Sequence, residues 1–164
     1  MDVFENFKNQ LKANPKTIVF TEGTDARILS AASKLLAGKI LNVLLLGNPE
    51  AVKKAAAEGG FDITGAEICD PTSYPEFDAM VAKMVELRKG KMTEEQCRAA
   101  LSKSNYFGTM LVKMGKADCL LGGATYSTAD TVRPAHQVRQ LLLHYGPRRR
   151  EAGDGRLRYQ YRSF

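Results

Sequence analysis

No apolar run in this 164-residue chain approaches the roughly 20 residues that a membrane-crossing helix needs, which argues against a membrane-spanning protein. Residues 1–16 form an amphipathic helical pattern with charges throughout. They lack the apolar stretch and small-residue cleavage site of a secretory signal, so the expected location is the cytoplasm. Cysteine is scarce: Cys69, Cys97 and Cys119 are odd in number, widely spaced, and form no CxxC or Cys/His cluster. That pattern argues against disulfide staples and a zinc site, and for reduced, partly buried thiols. Both histidines, His136 and His144, fall in the last 29 residues, so no cysteine of the body has a nearby histidine base by sequence. Neither the Walker pattern nor the dinucleotide fingerprint occurs, and a standard nucleotide loop is unsupported. Internal repeats, low-complexity segments and linkers are also lacking before residue 136.

What is present is uneven in charge. The net charge of +6 first suggests an acidic partner, but residues 1–135 hold 17 basic and 16 acidic side chains, a net of +1. Residues 136–164 hold seven arginines, no lysine and two acids, a net of +5. The body prefers lysine, 13 against 4 arginines, whereas the tail uses arginine alone.

The body alternates strand and helix signals. Thr17–Phe20 is a β-branched and aromatic run ending at Thr21-Glu22-Gly23, after which Thr24 or Asp25 caps a helix with Ile28, Leu29, Ala32, Leu35 and Leu36 on its apolar face. Ile40 to Leu46 reads as a strand covered on both faces. A helix over 50–58 stops at Gly59-Gly60, and Ala66 to Cys69 is a further short strand. Helices follow over about 75–89, from Thr93 with a capping-box pattern, and from Asn105 to Met114; Cys119-Leu120-Leu121 closes the series as a strand. Strands regularly separated by helices predict an α/β domain with a mostly parallel sheet.

Ligands of open α/β sheets bind beyond the carboxyl ends of the strands, which singles out two segments. In Thr21–Arg27 a glycine turn and a helix cap suffice as an explanation. In Gly122–Pro134, two glycines precede the hydroxyls of Thr125, Ser127, Thr128 and Thr131 and then Arg133. Free amides at a helix start, hydroxyls and a guanidinium form a cradle for phosphate; equally, the same residues form a capped helix with Arg133 in a surface ion pair. Arg88, at the end of the long helix, suits the helix dipole, and Met80, Met84, Met110 and Met114 read as core.

The stretches IVFTEGTDARILSAA, LNVLLLGNPEAV, VELRKGKMTEEQ, NYFGTMLVKMGKADCLLGGAT and STADTVRPA together resemble the phosphate acetyltransferase family, closely related to phosphate butyryltransferases, over about residues 3–135. The resemblance implies a three-layer α/β/α fold like that of isocitrate and isopropylmalate dehydrogenases, in two domains, of which this chain carries the N-terminal part. It implies a homodimer that exchanges acetyl groups between coenzyme A and phosphate, with acetyl phosphate as the other substrate and no metal or permanently bound cofactor. Arg133 looks like the arginine that binds substrate phosphate or coenzyme A, Arg88 like a second coenzyme A-linked arginine, and Ser127 and Thr128 like neighbours on the same wall. Tyr126 departs from the histidine often found at that place. The base and the transition-state residues lie, by the resemblance, in a second half that is absent here, so no catalytic residue is assigned and the chain is expected to be an inactive, truncated form.

The resemblance stops after Ala135. Read one nucleotide later, His136 to Phe164 can be encoded to give IKSGSCFCIMVRGEEKLVMADCAINIEA, which is family-like, so a frameshifted tail over 136–164 is expected. The competing reading is a basic nucleic-acid-binding tail, with Arg148-Arg149-Arg150 for phosphates and Tyr145, Tyr159 and Tyr161 for stacking.

Overall fold

The structure, a computed structural model, describes residues 3–138. The chain order is α1 (Val3–Ala13), β1 (Thr17–Phe20), α2 (Ala26–Ala37), β2 (Asn42–Leu46), α3 (Pro49–Gly59), β3 (Glu67–Cys69), a 3-10 turn (Pro71–Ser73), α4 (Phe77–Arg88), α5 (Glu94–Leu101), α6 (Ser104–Lys113), β4 (Cys119–Leu121) and α7 (Thr128–Gln137). Local signals set most of these boundaries. Asp25, not Thr24, caps α2 by accepting the Arg27 amide; Asn48 caps α3, which opens on Pro49; and Thr93 with Gln96 makes a reciprocal capping box on α5.

The strands form one sheet in the order β3-β2-β1-β4, every pair parallel, with Val19 opposite Leu44 on one side and Leu120 on the other. Successive residues of a strand point to opposite faces, so continuous apolar runs cover both sides. Val19, Leu44 and Leu46 pack with Met80, Met84, Leu101, Phe107 and Met110 of α4, α5 and α6. Phe20, Val43 and Leu45 pack with Ile28, Leu29, Ala32, Val52 and Ala56 of α2 and α3. The three expected layers are therefore present, with the four methionines in or against the core. The second strand starts two residues later than its apolar run. The Ile40 amide donates to Leu35 O and Lys39 adopts φ 50°, so Ile40 and Leu41 complete the exit from α2.

No helix among the described residues is long and apolar enough to cross a membrane. Of the tail expected over 136–164, only 136–138 are described; the remainder, 139–164, lies outside the described residues.

Candidate functional site

Strand order reverses at β1: the chain steps from β1 out to β3, then returns to lay β4 on the other side. In open α/β sheets the crevice at such a switch point, beyond the carboxyl ends of the two strands, is where ligands sit. Both segments picked out from the sequence, 21–27 and 122–134, meet there.

The crevice holds a carboxylate of the chain itself. Glu22, 8% exposed, accepts hydrogen bonds from the amides of Gly123 (3.1 Å), Thr125 and Tyr126 (3.2 Å), from Thr125 Oγ1 (2.9 Å) and from Thr21 Oγ1 (3.2 Å). Gly123 makes the turn possible with φ 105°, a conformation that side chains rarely adopt. On the other side Gly23 lies against the end of β2, its amide donating to Leu46 O at 3.1 Å. Burial pushes the Glu22 carboxyl upward, but the Thr125 amide and hydroxyl and the neighbouring amides outweigh it and hold the group below its ordinary range. The amides of Gly123, Thr125 and Tyr126 and the Thr125 hydroxyl are thus engaged by an internal anion rather than free.

Arg27 adds a second bridge. Its guanidinium donates to Asp25 at 2.8 Å and 3.0 Å and to Ala124 O at 2.7 Å. The Asp25 carboxyl is held down at about 2, chiefly by the Arg27 side chain and then by its amide.

Helix α7 starts from this latched turn. Ser127 is its cap, accepting the Asp130 amide at 3.2 Å and donating to Asp130 Oδ2 at 2.6 Å, while Thr131 Oγ1 donates to Ser127 O. Thr128 is the first residue of the helix and is exposed. Arg133 is exposed and stands 3.9 Å from Asp130. The capped-helix description therefore holds for Ser127, and Arg133 has only a loose ion pair.

Between α6 and α7 lies an open depression of about 450 Å³, lined by residues 102–106 with Tyr126, Asp130 and Arg133. Lys103 and Arg133 give it two cations against one carboxylate. Burial, then the Glu22 charge, raises the Tyr126 phenol above its usual range. Arg88 is elsewhere: its Nη1 donates to Gln137 O at 3.0 Å, bracing the carboxyl end of α7, and it lines a smaller hollow with Lys89, Lys91 and His136. Arg133 on α7 and Arg88 at the end of α4 thus open into different hollows. No group of three or more His, Cys, Asp or Glu suited to a metal occurs among the described residues.

Glu22 and Asn105 carry no site signal in the sequence. A carboxylate between a strand and a glycine turn is the only local sign of Glu22, and its amide donors lie 101 to 104 positions away.

A family model described as phosphate acetyl/butaryl transferase matches residues 2–142. A phosphate acetyltransferase from Bacillus subtilis is 47% identical over 137 residues, spanning 84% of this chain and 42% of the relative. One from Staphylococcus epidermidis is 42% identical over the same length and shares. Among solved structures, a phosphotransacetylase from Streptococcus pyogenes superposes with TM-score 0.80 at 40% identity, covering 86% of this chain and 44% of that one. The EutD phosphotransacetylase from Staphylococcus aureus gives 0.77 at 40% identity, with 87% and 43% covered. The chain spans about 42% of the length of these curated relatives.

Proposed function

The chain belongs to the phosphate acetyl/butaryl transferase family, and from that premise we propose that the complete protein moves an acetyl group between coenzyme A and inorganic phosphate. The reaction is acetyl-CoA + phosphate ⇌ CoA + acetyl phosphate. In one direction a phosphate oxygen attacks the thioester carbonyl and the thiolate leaves; in the other, the thiolate attacks acetyl phosphate and phosphate leaves. The observation that carries this reading is the 47% identity to a phosphate acetyltransferase across the segment that builds the sheet and α7.

In this reading the described residues supply a wall of the substrate cleft. Arg133, with Lys103 opposite, meets a phosphate group, and charge-assisted bonds to its oxygens hold it against the reacting carbonyl. Ser127 and Thr128 shape the same wall by starting α7 from a fixed turn. Arg88, at the end of α4, serves a coenzyme A-linked role. The base and the groups that stabilise the tetrahedral intermediate belong to the rest of the family's fold. A two-domain, dehydrogenase-like architecture, a homodimer and a cytoplasmic location complete the proposal.

The test is thiol release from acetyl-CoA on adding phosphate, by the complete gene product, with butyryl-CoA in parallel. Turnover of the acetyl substrate at higher kcat/KM supports the reading; preference for butyryl transfers it to the butyryl branch, and turnover of neither removes it. The 164-residue chain alone is expected to give no release.

Residues 136–164 are proposed to be out of frame, supported by the change from lysine to arginine as the basic residue. The family match ends at residue 142, shortly beyond that change. Resequencing from codon 130 onward decides this: one base gained or lost that restores the family frame confirms it, and an unchanged reading refutes it.

A further inference from the structure

Helix α7 carries Pro134 in its interior. Proline has no N–H, so the carbonyl of Asp130, four residues earlier, lacks its α-helical donor. Helix α6 supplies one instead: Asn105 Nδ2 donates to Asp130 O at 2.7 Å. Asn105 is 7% exposed, and its side-chain oxygen is engaged too, accepting the Tyr106 amide at 2.9 Å. One side of this group must donate and the other accept, which a carboxamide does and a carboxylate does not. Thr109 Oγ1 donates to Asn105 O at 2.7 Å and steadies the same turn of α6.

Arg133 immediately precedes the proline and lines the depression that Asn105 also lines. We propose that Asn105 is a positioning residue for Arg133: its carboxamide replaces the hydrogen bond that Pro134 withholds, and so holds the turn of α7 that presents the guanidinium to a substrate phosphate. This rests on the reading of Arg133 given under the proposed function.

Four forms of the full chain decide it: wild type, Asn105→Ala, Pro134→Ala and the double variant. Pro134→Ala returns an N–H to Asp130 O. The loss in unfolding constant caused by Asn105→Ala, read in urea, should then be about fivefold smaller in the Pro134→Ala background, the worth of one hydrogen bond. The Tyr106 bond is lost in both backgrounds and cancels. Calorimetric titration with coenzyme A, and separately with inorganic phosphate, tells which phosphate source Arg133 meets. Asn105→Ala should weaken the binding, the double variant should recover it, and Arg133→Ala marks its loss. A residue that only stabilises the fold would leave the affinity of the folded chain unchanged. Asn105→Leu keeps the bulk and adds no charge but loses the donor; it should match the alanine variant and replaces it if that chain fails to fold. Equal losses in both backgrounds overturn the proposal, as does a folded Asn105→Ala chain with wild-type affinity. If the wild type binds neither ligand, the Arg133 reading and the positioning role fall together, and the coupling then reports only on the bond at Asp130.

Discussion

Replacing Glu22 by glutamine tests the internal anion at the switch point. Glutamine keeps the length of the side chain and one carbonyl oxygen. That oxygen can still receive the Thr125 amide, the Thr125 hydroxyl and the Tyr126 amide, all of which converge on Glu22 Oε1. The other position becomes an NH₂ group facing the Gly123 amide, donor against donor, whereas the Thr21 hydroxyl can turn round and accept. One charge-assisted bond is lost outright, a buried amide is left without an acceptor, and three bonds lose their ionic character. With bonds to charged groups contributing about 1.5–3 kcal/mol and an orphaned donor costing about 1–3, the expected loss is about 2–4 kcal/mol. For a chain of this size that lowers the thermal midpoint by roughly 6–12 °C. The pH dependence gives a second reading. The folded carboxyl lies below its unfolded value of about 4.3, so its stabilisation is fully present above that pH and is lost as pH falls through the folded value. The gap between wild type and Glu22→Gln should therefore be widest near neutrality and should narrow as the pH falls below the unfolded value and through the folded one. Differential scanning calorimetry across that range measures both. A neutral-pH difference under about 2 °C, or two curves that stay parallel into acid, would mean that the Glu22 charge does not stabilise the fold.

Three further outcomes are expected. Gly23→Ala would place a Cβ 2.6 Å from the main-chain oxygen of Leu46 and should cost about 1–3 kcal/mol in urea unfolding; an unchanged midpoint contradicts the close contact. Thr93→Ala removes the acceptor for the Gln96 amide at 3.2 Å and should cost about 1 kcal/mol, with Thr93→Ser close to wild type in the same assay. In thiol titration with an aromatic disulfide at pH 8, buried Cys97 should react only on unfolding. Cys69, pushed up to about 11 by burial and then by Glu67 and Asp70, should react slowly; rapid reaction of all three thiols contradicts this.

The layers were legible because they rest on local period and caps. Leu44 and Leu46 face one helix layer and Val43 and Leu45 the other, which is what an uninterrupted apolar strand means. The start of β2 is not legible because Ile40 and Leu41 are as apolar as the strand they precede, although the left-handed Lys39 and the Ile40 bond to Leu35 O tie them to the exit of α2. The site was legible in place but not in chemistry. Glycines and hydroxyls at 122–128 mark a turn rich in donors, yet composition does not tell whether those donors are free. Glu22 satisfies them from the turn after β1, and no pattern within Thr21-Glu22-Gly23 announces it. Asn105 was hidden for a related reason: its role depends on a proline 29 positions further along, in a helix it meets only after the chain has folded.

The Glu22 contacts also bear on how the native state is reached and left. They join residues 101 to 104 positions apart, and closing a loop of that size costs about 4 kcal/mol of chain entropy before any bond is made. Strands β1, β2 and β3 with α2 and α3 can associate over shorter separations, leaving the β4 side to close afterwards. Interactions formed after the rate-limiting step leave the folding rate nearly unchanged and act on the rate of escape. The buried carboxylate at the switch point then works as a kinetic latch: weakening it should shorten the lifetime of the folded chain far more than it slows the return.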